Sequence, residues 1–280
     1  MRKRRLLLVD VSNIAYKSAA AHPNFTNGDV YTGGLYGFMC AVAKAINATG
    51  ATDICLCEDR RPYHRSVAYP EYKQIRASNK DEVLVEKVKT TIEQVRKLCE
   101  VTGWPMWGVP GFESDDLVAH TVIQYRHRYE KIIAMSNDSD LYQLFNWKHF
   151  QLYKGKKGLY THEDFAVEWK GLPAYKLVLA LSMTGTHNEV AGIKGVGPVT
   201  AIHALTYPQH FNDIYNSHSA LIERNKKLIS LPHEDFPVFE QMPLTVCDYS
   251  ERKLMNFCAR YKIQLDRWMS ENFENLGGVK

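Results

Sequence analysis

Short apolar runs alternate with longer segments of mixed polarity along the first half of the chain. Three of these runs cover residues 6–9, 54–57 and 132–135. Their length and their branched aliphatic content predict strands that are buried on both faces. The segment 83–102 between two of them carries apolar residues three or four positions apart, which predicts a helix. Strands that alternate with helices predict an α/β fold with a twisted, mainly parallel sheet and flanking helices.

The pattern changes after about residue 170. Residues 176–182 predict a helix, and residues 192–201 combine a glycine-rich turn with the start of another helix. A further helix is predicted over 249–261. We therefore expect two units, a core over residues 1–175 and a smaller, mainly helical module over residues 176–280.

Composition narrows the class of protein. The 280 residues are 45% hydrophobic and 24% charged, as in a well-packed globular chain. The net charge of +4 permits a nucleic-acid partner without requiring one. Six scattered cysteines without a C-x-x-C pair predict reduced thiols and a cytoplasmic location, in the host cytoplasm if a phage encodes the protein. No apolar stretch approaches the ~20 residues of a membrane helix, so no membrane partner is expected.

Aspartates follow all three predicted strands. They are Asp10, Asp59, Asp138 and Asp140. Because the carboxyl ends of parallel strands meet at one edge of a sheet, we expect these side chains to lie together. A further acidic group, residues 113–116, precedes a predicted helix, and taken alone it is also typical of an ordinary N-terminal cap.

Carboxylates gathered at one edge need a counter-charge, because like charges a few ångströms apart resist joint ionisation. Magnesium and manganese ions prefer such all-oxygen sites, and the absence of a nearby Cys/His set argues against zinc. A two-metal carboxylate site hydrolyses phosphodiesters by activating water and stabilising the attacking and leaving oxygens. The pattern therefore predicts a metal-dependent phosphodiesterase.

Five sequence blocks, in family order over roughly residues 5–205, resemble those of the bacteriophage 5′ nucleases and flap endonucleases, relatives of the 5′-nuclease domain of bacterial DNA polymerase I. They are the strand with its aspartate at 7–13, the R-x-x-x-x-P-E-Y-K-x-x-R segment at 65–76, the acidic block at 111–116, the S-x-D-x-D block at 136–141 and the glycine turn at 192–201. The resemblance implies a PIN-like 5′-nuclease fold. It also implies a helical arch around residues 60–100 and a helix–hairpin–helix module at the glycine turn.

The resemblance assigns metal-ligand positions to a set of acids, with Asp116 as a supporting acid. The set is Asp10, Asp59, Glu113, Asp115, Asp116, Asp138, Asp140 and Glu189. Glu58 is adjacent to Asp59, which we prefer for its spacing to Arg65. The family's G-D-x-x-D-N motif is altered here: Thr186 takes the first aspartate position, Glu189 stands at the second, and Asn188 precedes it. Either the second metal site is weakened, or the second ion is absent.

The resemblance also implies contacts to nucleic acid. Lys73 and Arg76 would act catalytically on the scissile phosphate from the base of the arch, and Tyr72 would stack on a frayed base. The whole predicted set of contacts is Arg65, Tyr72, Lys73, Arg76, Lys194, Gly195, Gly197 and Thr200. Glycines let the turn approach a phosphate, and the family often holds a potassium ion there. Alone, residues 72–76 fit a surface helix turn equally well, and the glycine turn fits a helix cap.

These observations predict a Mg²⁺- or Mn²⁺-dependent 5′→3′ exonuclease or flap endonuclease. Its substrates would be DNA with a 5′ flap, a 5′ end or an RNA primer during replication, and a monomer is the default expectation. Two alternatives stay open. One is a flap-binding protein with an impaired second metal site; the other is a PIN-type ribonuclease, which leaves the glycine turn unexplained.

Overall fold

A six-stranded sheet lies at the centre of the fold. The computed structural model describes residues 4–72, 81–186, 190–239, 249–274 and 276. The strands there are β1 (Arg5–Asp10), β2 (Thr26–Asn27), β3 (Val30–Tyr31), β4 (Asp53–Cys57), β5 (Met106–Trp107), β6 (Lys131–Met135), β7 (Phe150–Tyr153) and β8 (Leu159–Tyr160). The sheet order is β5-β4-β1-β6-β7-β8, parallel except for the antiparallel pair β7–β8, while β2 and β3 form a separate antiparallel pair. The predicted α/β class and mainly parallel sheet are confirmed.

Helices flank the sheet and are the main regular elements described after Tyr160. They are α1 (Val11–Ala21), α2 (Gly33–Thr49), α3 (His64–Ala68), α4 (Glu82–Thr102), α5 (Ser114–Tyr125), α6 (His162–Glu168), α7 (Leu177–Thr184), α8 (Pro198–Thr206), α9 (Pro208–Ile229), α10 (Glu251–Arg260) and α11 (Arg267–Glu274). Short 3-10 helices cover Asp140–Asn146, Gly155–Lys157 and Ala174–Lys176. A local sequence signal sets where α4 begins: the Asp81 side chain accepts hydrogen bonds from the backbone N–H groups of Val83 and Leu84 and so caps the helix.

Both faces of the sheet are buried. In β1, Leu6 and Leu8 point into one hydrophobic cluster, and Leu7 and Val9 point into the other. The first cluster includes residues of α5 and the segment after α9, and the second includes residues of α2, α4, α10 and α11. Two-sided burial explains why the strands read as continuous apolar runs.

A third hydrophobic cluster holds the helical half together. It consists of Leu172, Ala180, Met183, Ile193, Ala201, Leu205 and Ile222. The last two helices instead pack back onto the sheet layer, through side chains such as Phe257 and Phe273. The described strands all end by Tyr160, and the predicted boundary near residue 175 stays a prediction.

Within the described ranges, no helix is long and apolar enough to cross a membrane. The cysteines described there, at positions 40, 55, 57, 99 and 258, are free thiols.

Candidate active site

The carboxyl ends of three parallel strands bring the predicted acids to one edge of the sheet. In the β1–β4 pair Asp10 lies opposite Cys57, and in the β1–β6 pair Val9 lies opposite Met135. Asp59 and Asp138 therefore follow their strands directly beside Asp10.

Asp10 is the buried centre of this group, with 5% of its surface exposed. Its Oδ1 accepts hydrogen bonds from the Asn13 backbone N–H and the Ser114 hydroxyl, each at 3.1 Å. Its Oδ2 accepts one from the Ser136 hydroxyl at 2.9 Å. Three donors from three elements therefore fix the orientation of this carboxylate.

The two serines also connect Asp10 to its acidic neighbours. The Ser114 backbone N–H donates to Asp59 Oδ1 at 2.7 Å. The Ser136 hydroxyl accepts from the Asp138 backbone N–H at 3.1 Å, and Asp138 Oδ1 accepts from the Asp140 backbone N–H at 2.9 Å. The sequence predicted no contact with Asp10 for either Ser114, which lies in the acidic helix start at 113–116, or Ser136, the first residue of the S-x-D-x-D block. The available signal was a serine within two positions of an acid in each block.

Burial and neighbouring negative charge act together on Asp10. They raise its pKa to about 7, burial being the larger cause and the charges of Asp59 and Asp138 adding to it, while hydrogen bonds from Asn13 and Ser136 work in the opposite direction. Lys17, half-buried on α1, is close enough to interact with Asp10 and Asp138. Burial lowers the pKa of Lys17, and the two acids partly offset that effect. No motif or spacing in the sequence singles out this lysine.

The donor set suits a hard divalent cation. Asp10, Asp59 and Asp138 offer carboxylate oxygens. The pKa of the buried Cys57 thiol is raised by a hydrogen bond with Cys55 and by burial, and further by the negative charges of Asp10 and Asp115. Asp115 therefore lies near the same thiol as Asp10. Within the described ranges, no three acidic, His or Cys side chains are already drawn together tightly enough to hold an ion. Mutual repulsion of carboxylates favours such an open arrangement until a cation enters. The residues present fit the metal.

Glu58 and Asp59 have different surroundings. Glu58 is 2% exposed, and its carboxylate pairs with Arg60 at 2.7 Å and with Arg96 of α4. Its charge is therefore compensated by two arginines. Asp59 is half-buried and faces Ser114, which supports the choice of Asp59 as the candidate ligand.

The acidic start of α5 divides into two roles. Asp116 is fully buried and accepts hydrogen bonds from Arg65, from the His233 backbone N–H at 2.7 Å and from the Glu113 backbone N–H at 3.2 Å. With both oxygens engaged in this way, Asp116 does not fit a metal ligand but does fit the supporting role. Glu113 Oε2 accepts from the Tyr72 hydroxyl at 3.1 Å and from Arg65 at 3.4 Å.

Two predicted DNA contacts do not fit the structure. Arg65 is 3% exposed, and its guanidinium donates to Asp116 and to backbone carbonyls rather than facing solvent. Burial alone would lower the pKa of Arg65, but its ion pair with Asp116 outweighs this and raises it. Tyr72 is 8% exposed and directs its hydroxyl at Glu113, so its ring is not presented for stacking. The resemblance implied nucleic-acid contacts for both residues, and no local feature of the sequence shows that distant elements bury them.

Lys73, Arg76, Asn188 and Glu189 lie outside the described residues. Their predicted roles stay predictions.

Backbone pairing precedes the glycine turn of residues 192–201, which leads into α8. Gly185 pairs with Ala191, and the Thr186 backbone N–H donates to the Val190 carbonyl at 2.9 Å. Gly195 adopts a φ of 86°, a region that favours glycine. Its surroundings, like those of Gly197, are open within 4 Å of a would-be Cβ.

The predicted contacts of this turn lie at the surface. Lys194, Gly195 and Thr200 are exposed, and Gly197 precedes Pro198 at the start of α8. The backbone is therefore open to a large ligand such as a phosphate backbone, although a plain helix start has the same local shape.

Comparison with known proteins agrees with this arrangement. The family model of the 5′–3′ exonuclease N-terminal, resolvase-like domain matches residues 5–170, more than half of the chain. The 5′–3′ exonuclease of Buchnera aphidicola subsp. Schizaphis graminum is 22% identical over 288 residues, which cover 97% of this chain and 98% of that protein. Thermostable DNA polymerase I of Thermus thermophilus is 25% identical over 264 residues, 91% of this chain but 31% of the polymerase.

The fold is shared with a solved nuclease. The crystal structure of the bacteriophage T5 flap endonuclease, a pseudo-enzyme–product complex with DNA and metal ions, superimposes with a TM-score of 0.69 at 17% identity. The match covers 98% of this chain and 99% of that one. The chain therefore belongs to the 5′–3′ exonuclease family and is a nuclease with the fold of the flap endonucleases.

Proposed function

We propose that the protein is a divalent-metal-dependent 5′→3′ exonuclease and flap endonuclease that hydrolyses phosphodiesters in DNA, or in RNA primers on DNA, during replication. One observation carries this proposal: Asp10, Asp59 and Asp138 from three strand ends are joined through Ser114 and Ser136 at an open sheet edge. Mg²⁺ is the proposed ion and Mn²⁺ its substitute, because every donor is an oxygen.

Each group at the site has a defined task in this proposal. Asp10, Asp59, Asp115 and Asp138 would hold the metal, with Glu113 and Asp140 at its margin. A bound divalent ion supplies charge stabilisation and lowers the pKa of an attacking water. Ser114, Ser136 and the Asn13 N–H keep Asp10 oriented, so that its oxygens do not have to reorganise during the reaction.

Positive groups would hold the nucleic acid. Lys17 lies beside Asp10 and Asp138, where its ammonium can meet a phosphate drawn to the site. Lys73 and Arg76 are proposed to contact the scissile phosphate from the arch. The glycine turn, with Lys194 exposed beside it, would grip a duplex backbone without reading its sequence, with K⁺ as an accompanying ion.

A flap-binding protein with an impaired second metal site is the second candidate. Thr186 favours it, because a hydroxyl stands where the family has a carboxylate. Among the described residues the buried Thr186 Oγ1 has no hydrogen-bond partner, and a neutral hydroxyl is a weaker ligand for a hard cation.

Cleavage of a 5′-flap duplex in Mg²⁺ tests the proposal. The wild type should release the flap, and Asp10→Ala and Asp138→Ala should release none. Asp213→Ala, an exposed acid on α9, is the matched control and should cut normally. Tight flap binding without product after long incubation would establish the binder instead, and cleavage of RNA alone would point to the ribonuclease.

A further inference from the structure

The last two residues of α9 and the segment that follows them are held by side chains from other elements. We call residues 228–233 the strap. Its backbone carbonyls at Leu228 and Ser230 accept hydrogen bonds from Arg65 at 2.8 and 2.9 Å. The His233 N–H donates to Asp116. An irregular segment fixed in this way has a defined position relative to α5 and α3.

Arg65 is the residue that the strap and the acidic helix start share. Its guanidinium donates to both oxygens of Asp116, at 2.6 and 2.8 Å, as a bidentate pair. The same group reaches Glu113 Oε2 at 3.4 Å, the longest contact of the set. Arg65 is therefore neutralised mainly by Asp116, and its contact with the Glu113 carboxylate is the weaker of the two.

The other end of this connection lies directly before the glycine turn. Asn225, fully buried on the penultimate turn of α9, donates to the carbonyls of Ser182 and Ala191 at 2.9 and 2.8 Å. Three residues later Leu228 begins the strap. The hydrogen bonds of Asn225 and those of Arg65, joined through the last turn of α9, thus connect the backbone before the glycine turn to Glu113.

We propose that Arg65 is a positioning residue for Glu113, and that through the strap it sets Glu113 relative to the glycine turn that is proposed to grip DNA. This rests on the proposed function, in which Glu113 lies at the margin of the metal site. Residues that orient metal-binding carboxylates affect metal affinity without touching the ion. A purely structural Arg65 would stabilise the fold and leave metal affinity unchanged.

Gln143 provides a matched control. Its amide accepts from the Leu231 N–H at 3.1 Å and donates to the Ile229 carbonyl at 2.9 Å. It therefore holds the same strap, but none of its hydrogen bonds described here goes to an acid of the site. Gln143→Leu loosens the strap from the other side and leaves the Arg65 contacts in place.

The experiment compares wild type, Arg65→Lys and Gln143→Leu in the full chain. Mn²⁺ binding is followed without DNA from the electron paramagnetic resonance signal of the free ion. The kcat and KM on a 5′-flap duplex are measured in parallel, and urea unfolding reports stability. A lysine keeps the charge but cannot donate hydrogen bonds to Asp116, Glu113 and two backbone carbonyls at the same time.

Arg65→Lys should weaken Mn²⁺ binding about 10-fold and lower kcat, with KM for DNA little changed. Gln143→Leu should bind Mn²⁺ like the wild type, even where its urea midpoint is equally reduced. Wild-type Mn²⁺ affinity in Arg65→Lys, or equal weakening in Gln143→Leu, overturns the positioning role. If the wild type itself neither binds Mn²⁺ nor cuts, the proposed function has failed instead.

Arg65→Lys with Asp116→Glu covers the case in which the single variant does not fold. The longer carboxylate regains the reach that the lysine lost. This double variant restores the pair with residue 116 but not the bidentate geometry beside Glu113. It should therefore fold while Mn²⁺ binding stays weakened, and full recovery of Mn²⁺ affinity would also overturn the proposal.

Discussion

The buried carboxylate of Asp10 should make the metal-free protein less stable as pH rises. Its pKa of about 7 in the folded chain stands against an ordinary value of 3.8. Between these values the folded state holds a proton that the unfolded state has released. The free energy of unfolding therefore falls as pH rises through this window, and the whole loss is present above about pH 7.

The magnitude follows from the size of the shift. At about 1.4 kcal/mol per pKa unit, the largest possible loss is about 4 kcal/mol. Asp10→Asn removes the charge and keeps the shape, but it weakens hydrogen bonds that Ser114 and Ser136 donate. Allowing about 1–2 kcal/mol for these bonds, the variant should be about 2–3 kcal/mol more stable than the wild type at pH 8 in EDTA.

Urea unfolding followed by circular dichroism at pH 5, 6, 7 and 8 provides the measurement. The stability difference between wild type and Asp10→Asn isolates this group from other titrating residues, and it should move in favour of the variant as pH rises. Saturating Mg²⁺ at pH 8 is the control. It should stabilise the wild type and not the variant, because the ion binds the folded site. A stability difference that does not vary with pH would refute the reasoning.

Four further substitutions test the architecture by urea unfolding. Glu58→Gln should lower the free energy of unfolding by about 2 kcal/mol, less than the loss of a fully buried ion pair, because both arginines reach solvent. Its Mn²⁺ affinity should equal that of the wild type. A large loss of Mn²⁺ affinity would instead show that Glu58 is a metal ligand. Gly185→Ala should destabilise far more than Gly195→Ala: both have positive φ, but a Cβ at 185 would lie 2.4 Å from the Val190 carbonyl oxygen and one at 195 meets open space. Equal costs of about 1 kcal/mol would contradict this steric argument. Asn225→Leu should cost about 3 kcal/mol by leaving two carbonyls without their donor, and a loss below about 1 kcal/mol would mean that water replaces the amide.

Much of the fold could be predicted because its signals are local. The β1, β4 and β6 strands are apolar runs in a sheet covered on both faces, and this burial is written directly into consecutive residues. Acids placed after those strands had to meet at one edge, because parallel strands share the direction of their carboxyl ends. The glycine turn could also be predicted, because Gly195 has a backbone conformation that other residues rarely adopt.

The sequence by itself thus determined three central strands of the sheet, the edge at which Asp10, Asp59 and Asp138 gather, and the glycine turn. Only the tertiary structure decided which charged side chains are buried and neutralised by partners inside the protein. Arg65 and Tyr72 were predicted to contact nucleic acid, yet both are buried against Glu113 by elements that lie far away in the chain. The physical reason is that the environment of a charged side chain depends on its partners and on its loss of water, and both come from residues distant in sequence.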